Sequence, residues 1–251
     1  MKIHPVAFVF LVLIIFCFGW AVGFGSAVAH AVGGNTVIST NGNSVTTFGS
    51  GGSITIIGDK ATCTVQRKCD SFDAIDVSGS VDVDVACQKQ QSVSVSGDSN
   101  LLPMVHTEVR DHTLYIRTDG SYSTNNPIKV MIAAPDISQI TTSGSSDVNV
   151  ADINNDAFKI DSSGSGEITL AGTTNTLDLA CSGSCDIQAD ALKSSNTTIH
   201  ISGSGNASVS ATQSLNAQVS GSGSVTYSGH PSQTQSNISG SGSVQSAGSG
   251  E

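Results

Sequence analysis

From Thr142 onward the chain repeats one short pattern: apolar or small residues alternate with polar ones, a Ser-Gly-Ser-(Gly/Ser/Cys) tetrapeptide interrupts them, and the alternation resumes. The first glycine of that tetrapeptide falls at Gly144, Gly164, Gly183, Gly203, Gly221 and Gly240, in steps of 20, 19, 20, 18 and 19 residues. Four and two residues before it stand pairs such as Ile140 and Thr142, Ile160 and Ser162, Leu179 and Cys181, and Ile199 and Ile201. Four and six residues after it stand Val148 and Val150, Ile168 and Leu170, Ile187 and Ala189, and Val225 and Tyr227. Period two on both sides of a corner is the signature of strands with one buried face. A unit this short leaves no room for a helical crossover, but it suits one coil of a stacked solenoid. The predicted fold class is therefore all-β, a parallel β-helix with about 18–20 residues per coil, regular over residues 136–245 and followed by a polar tail at 246–251. Coils stacked at about 4.8 Å bring equivalent residues into ladders, so Ile, Leu and Val can make a core without aromatic rings. The six glycines are read as structural corners, where positive φ or close backbone approach excludes a Cβ.

Upstream, Phe72 to Val85 and Gln91 to Gly97 also alternate strictly, and Ile128 to Pro135 reads as a buried strand ending at a proline. Residues 70–135 are thus an N-terminal β part. Residues 32–69 are a Gly/Ser/Thr-rich leader, either flexible or forming an irregular first strand pair around the turn signal Asn41-Gly42. Taken together, the Phe-x-x-Ile-x-Val-Ser-Gly start at Phe72, the Asn-Leu-Leu-Pro segment from Asn100, the Glu-Val and Leu-Tyr-Ile-Arg stretches after it, the strand ending at Pro135 and the serial Ser-Gly-Ser-Gly coils form a specific set. In these features the chain resembles the putative auto-transporter adhesin head GIN domain family, over about residues 70–245. The resemblance implies a bacterial envelope or secreted protein built as a right-handed parallel β-helix, with adhesion as the suggested role and no established catalytic residues. No outer-membrane barrel strands are expected between the repeats and Glu251.

The first residues point to export. Lys2 and His4 precede an apolar run from Val6 to Trp20, and Ala29-His30-Ala31 offers the small-x-small pattern of a cleavage site. Residues 1–31 are read as a signal peptide and Val32 as the mature start. The competing reading is an uncleaved anchor extending to Phe24, and it is the only membrane contact the sequence offers. Cys17 follows Phe16, where a lipoprotein signal needs a small residue. The expected location is therefore periplasmic, cell-surface or secreted.

Composition narrows the function classes. The 27 glycines and 41 serines would signal disorder if they had no period; with one, they supply corners and outward ladders. A net charge of −10 and the lack of a basic stripe exclude a nucleic-acid binder. After the signal only Phe48, Phe72, Phe158, Tyr115, Tyr122 and Tyr227 remain, little material for an aromatic sugar platform. Five cysteines also remain, Cys63, Cys69, Cys87, Cys181 and Cys185, and export makes disulfides the natural use. The close pairs Cys63/Cys69 and Cys181/Cys185 are the expected bonds, the latter stapling one coil across its corner and leaving Cys87 over. Their spacing does not fit a zinc ribbon.

Candidate chemistry is sparse. Glu108, Arg110, Asp111 and His112 cluster near Arg117, but Asp111-His112-Thr113 reads as a hairpin turn. His106, His200 and His230 are too dispersed to form a site. The ladder Asp147, Glu167, Asp186, Asn206, Ser224, Ser243 carries acids at one end, a weak cation site or, more simply, a solvated outer row. No catalytic residue, cofactor or metal site is expected. The leading function is a non-enzymatic exported β-helix that binds a protein or glycan at the envelope or surface, with self-association through the ends of the helix as a further contact. The alternatives are a polysaccharide-acting enzyme, which needs carboxylates or a base set in a groove, and a periplasmic envelope or stress accessory protein. N-terminal sequencing of the exported chain should begin at Val32; a start at Met1 would identify the apolar run as an anchor.

Overall fold

The computed structural model describes residues 28–32, 35–40, 43–47 and 54–247. Strands β1 (Val28–Val32), β2 (Asn35–Thr40), β3 (Asn43–Thr47) and β4 (Ile54–Ile57) form an antiparallel meander, and β4 pairs in parallel with β11 (Ser121–Ser123). Residues 32–69, read from sequence as a leader that is flexible or forms an irregular strand pair, include β2, β3, β4 and β5 (Thr62–Arg67). The Asn41-Gly42 turn and the Val6 to Trp20 run lie outside the described residues, while Ala29-His30-Ala31 lies within β1. No helix among the described residues is long and apolar enough to cross a membrane.

The rest is one solenoid. After β13 (Gln139–Gly144) come β14 (Val148–Gly164), β15 (Glu167–Gly183), β16 (Asp186–Gly203) and β17 (Asn206–Gly221), then β18 (Ser224–Ser228), β19 (Gln233–Gly240) and β20 (Ser243–Ser246). Strands of 16 to 18 residues are too long to run straight through a narrow coil. Each bends where its register shifts, once between Val150 and Ile153 in β14 and twice between β16 and β17, and so covers more than one side of the rod. All the coil-to-coil pairings are parallel, and like residues meet. Ile140, Ile160, Leu179, Ile199 and Ala217 make one inward ladder; Val148, Ile168, Ile187, Ala207 and Val225 make another, all essentially excluded from water. A third ladder, Phe158, Leu177, Thr197 and Leu215, stands two residues before the first on the same strands and extends the core away from the tetrapeptide. Each buried aliphatic side chain contributes roughly 1.5–3 kcal/mol. The buried hydroxyls within the stack are paired: Thr142 donates to Ser162 at 2.9 Å, and Thr197 shares a hydrogen bond with Ser194 at 2.5 Å.

The corner glycines stack backbone on backbone. The column begins at Gly79, one coil before the repeat becomes visible in sequence, and runs through Gly144, Gly164, Gly183, Gly203, Gly221 and Gly240. At every step the serine after a glycine donates its N–H to the carbonyl of the glycine one coil earlier, at 2.8–3.0 Å. Gly203 has φ of +133°, and a Cβ there would lie 2.5 Å from the Gly183 carbonyl oxygen. Gly164 lacks the positive φ, yet a Cβ would come within 2.1 Å of the Gly144 oxygen.

Between Gly79 and Gly144 the chain leaves the stack and builds its N-terminal end. The first coil is β6 (Ala74–Gly79) with β7 (Asp82–Ala86). On its outer side lie β10 (Thr113–Thr118) and β12 (Lys129–Ala133), both parallel to it. Beyond these, β9 (Val105–Arg110) and β8 (Ser92–Asp98) turn antiparallel, and β5 (Thr62–Arg67) adds one more strand beside β8. The order of coils in space is therefore not the order in the chain. Asp98, wholly buried at the end of β8, anchors this excursion by accepting from the Thr124 hydroxyl at 2.6 Å and the Asn126 amide at 2.7 Å.

Gly203→Ala should lower unfolding stability by on the order of 2 kcal/mol or more, because it adds both a strained φ and a contact with backbone. Urea titration beside an alanine at the solvent-facing Ser202 measures it; equal stability of the two variants would refute the stacking account.

Candidate interaction surface

Away from the register shifts, the outward positions of the coils also form ladders. The acidic row predicted from Asp147 to Ser243 is present and extends further toward the N-terminal end, through Asp82 to Lys129. The Lys129 ammonium lies 2.7 Å from Asp84 Oδ2. Burial, followed by the charge of Asp147, raises the Asp82 carboxyl above the usual range, and Lys129 opposes the shift. The Asp147 carboxylate accepts from the Glu167 N–H at 3.0 Å, and Gln188 donates to Glu167 at 2.7 Å. The row thus meets its own lysine and amide donors, and among the described residues no three His, Cys, Asp or Glu side chains converge as a metal site would require.

The charged cluster near residue 110 belongs to the β9–β10 hairpin. Asp111 and His112 occupy its turn with φ of 48° and 61°, both in the left-handed region that tight hairpins require. Glu108 and Arg110, two apart on one strand, pair at 2.5 Å on the exposed face; the bond to Arg110 lowers the Glu108 carboxyl and raises the guanidinium in return. Arg117 lies over the Tyr115 ring at 5.2 Å, and His106 contacts Asp119 at 2.8 Å. These groups engage one another across an open sheet, His112 sits at the turn, and His200 and His230 are exposed elsewhere.

Cys181 and Cys185 are disulfide-bonded across their corner, both buried, with Cα atoms 6.2 Å apart, inside the range such a bond accepts. The bridge occupies space that the next coil leaves empty: a Cβ on Gly205 would sit 2.3 Å from Cys181 Sγ. The expected Cys63–Cys69 bond does not form. Cys63 lies in β5, whose strand continues to Arg67, and an extended backbone of about 3.3 Å per residue carries Cys69 well beyond disulfide reach. Cys63 is exposed, Cys69 half-buried and Cys87 fully buried. Burial, reinforced by the Asp136 charge, pushes the Cys87 thiol up to about 11.

A feature that the tetrapeptide does not reveal is an axial groove at the bend of β14–β16, with a volume of about 490 Å³. Three successive rungs build it. One rim carries Asn154, Thr173 and Lys193; the other carries Asp156, Asn175 and Ser195. Asn155, Thr174 and Ser194 form the floor, with Thr174 and Ser194 buried. The floor is bound inward, Thr174 to the Thr176 carbonyl at 3.2 Å and Ser194 to the Ser210 carbonyl at 3.0 Å. On the rims Asn175 donates to Asp156 at 2.8 Å, while Lys193 makes no ion pair among the described residues. Beyond Lys193 no Asp, Glu, Lys or Arg occurs until Glu251, so the later coils present hydroxyls, amides, two histidines and the exposed Ile238. The final described coil also changes its inner ladders: Thr234 follows Leu215, Ser236 follows Ala217, and all of β19 is exposed.

Residues 71–231 match the family described as putative auto-transporter adhesin, head GIN domain. Among solved structures, a putative adhesin from Bacteroides fragilis is similar with a TM-score of 0.64 at 23% identity, over 76% of this chain and 99% of that one. A putative lipid binding protein from Parabacteroides distasonis aligns over 76% of this chain and 99% of its own, at 25% identity and a TM-score of 0.46. No functionally curated protein matches.

The thiols give a direct check. Maleimide at neutral pH should label Cys63 in the native protein and Cys87 only after unfolding, with Cys181 and Cys185 reacting only after reduction. Because folding raises the Cys87 pKa, its contribution to stability is complete below pH 9.0, the ordinary thiol value, and is lost as pH rises toward about 11. Cys87→Ala should flatten that part of the stability profile; an unchanged alkaline slope would assign it to other groups.

Proposed function

Because the chain belongs to the putative auto-transporter adhesin, head GIN domain family, we propose that it is an exported, adhesin-like protein that binds a protein or glycan partner at the bacterial envelope or surface through the sides of its rod. The observation that carries this reading is the arrangement of its outward groups. Polar side chains stand in ordered rows, with the charged ones in mutual pairs rather than aimed together at one point. Such a surface is suited to recognition by repetition: each contact is weak, but many equivalent contacts line up at strand spacing and act together. A rigid backbone ladder also holds those side chains in place before binding, which reduces the ordering cost of association. The signal-like start and the disulfide between Cys181 and Cys185 support export. The reaction that a polysaccharide-acting enzyme performs needs a positioned acid and base; of the sequence cluster, Glu108 is held by Arg110 on an open face, and Asp111 and His112 form the hairpin turn.

Beads coated with the exported chain should retain intact envelopes or surface glycans, and urea-unfolded protein on the same beads should not. Confinement of the native protein to the cytoplasm on fractionation, or equal retention by folded and unfolded forms, would overturn the proposal.

A further inference from the structure

From the axial groove between the Asn154 and Asp156 rims we infer a binding subsite for an extended, uncharged pyranose chain, lying along the rod with one ring per coil. The inference rests on the adhesin-like reading above and supplies a ligand class for it.

Period is the first argument. The groove's rungs repeat at the stacking distance of parallel strands, about 4.8 Å. A β-1,4-linked pyranose chain advances by close to that distance per ring and turns over from ring to ring, so each rung meets one ring while the ring's two edges alternate between the rims. An extended peptide repeats its same-face side chains at about 6.6 Å, two residues of strand rise, and falls out of step within two rungs.

Chemistry is the second. Lys193 can only donate and the Asp156 carboxylate can only accept, whereas Asn175 and Thr173 do both. A sugar hydroxyl is itself donor and acceptor and satisfies either rim, while vicinal hydroxyls reach two rim groups together. The floor's hydroxyls are already bonded inward and its Asn155 Oδ1 is buried without a partner among the described residues, so binding falls to the rims, which keep donors and acceptors beyond the Asn175–Asp156 and Thr173–Asn154 bonds.

Charge is the third, and it sets the ligand as neutral. The one ammonium in the groove, Lys193, shares it with the Asp156 carboxylate two rungs away on the opposite rim, and Asp136 is close by through the bond it accepts from Asn155 at 3.3 Å. The whole chain carries a net charge of −10, which repels a polyanion at long range. No aromatic ring lines the groove, so binding depends on hydrogen bonds and should be insensitive to salt.

The test uses the exported full chain and isothermal titration with three probes: a β-1,4-glucose hexamer, a β-1,4-N-acetylglucosamine hexamer and a β-1,4-mannuronate hexamer. At least one neutral hexamer should bind. Lys193→Ala and Asn175→Ala should each weaken it by about tenfold, as expected for losing a hydrogen bond to a charged or amide partner. Thr226→Ala, on a different face, should leave binding unchanged, and all three variants should keep the parent melting temperature. Failure of both neutral hexamers, tighter binding of the mannuronate, or indifference to both groove variants would overturn the inference. Retention of envelopes on beads without hexamer binding would remove the groove and leave the adhesin-like reading intact. Hexamer binding without retention would do the reverse.

Discussion

The structure depends on how closely one backbone can approach the next at the glycine corner. From Gly79 to Gly240 each corner lies against the carbonyl of the one before it, at a distance where a methyl group would overlap oxygen. That contact fixes the axial position of every coil, and the in-register pairing of the flanking strands follows from it. Once the register is fixed, inward and outward positions are fixed too, because a strand alternates its faces with period two. The aliphatic core, the buried hydroxyl pairs and the outer rows are then consequences of a single close approach. Even the disulfide fits this scheme, since it fills the space that Gly205 leaves by having no side chain.

Much of this was legible in the sequence because the corner is chemically distinctive and the period is short. The ladders beside the tetrapeptide, the hairpin turn at Asp111-His112 and the Cys181–Cys185 bridge could all be read from spacing. What escaped has physical causes. Gly79 belongs to the same column, but the excursion that follows it breaks the period, so self-comparison starts one coil late. The Phe158 ladder has no glycine to mark it and contains a threonine, which hides its apolar character. A Cys63–Cys69 bond rests on sequence proximity alone, a rule that fails wherever the intervening residues are an extended strand. The groove lies at the unmarked bend, where register shifts blur the alternation; the signal that could have located it was the Asn-Asn-Asp at 154–156 and the Thr-Thr-Asn-Thr at 173–176, aligned one repeat apart.

Electrostatics divide the rod along its length. The N-terminal coils and the excursion carry the paired charges, Lys129 with Asp84 and Arg110 with Glu108 among them. From Ser194 on, the surface is neutral until Glu251. The last coil also exchanges aliphatic inner residues for Thr234 and Ser236, so the end of the stack meets solvent partly with hydroxyls, beside the exposed Ile238. Terminal repeats of solenoids are polar for the same reason: they have a neighbour on one side only.

The excursion between the first two corners has a consequence for the order of assembly. Neighbouring coils of the regular stack close loops of about 19 residues, whereas joining Gly79 to Gly144 closes one of 65. Loop-closure entropy makes the longer step costlier by about 1 kcal/mol, before the entropy of ordering the excursion itself is counted. Nucleation is therefore favoured among the C-terminal coils, and β6 and β7 dock onto a stack that already exists. A chain leaving a membrane pore amino end first delivers those strands before their partner, so its earliest segment stays open until β13 and β14 have emerged. For such a solenoid, the first part to appear is the last to be completed.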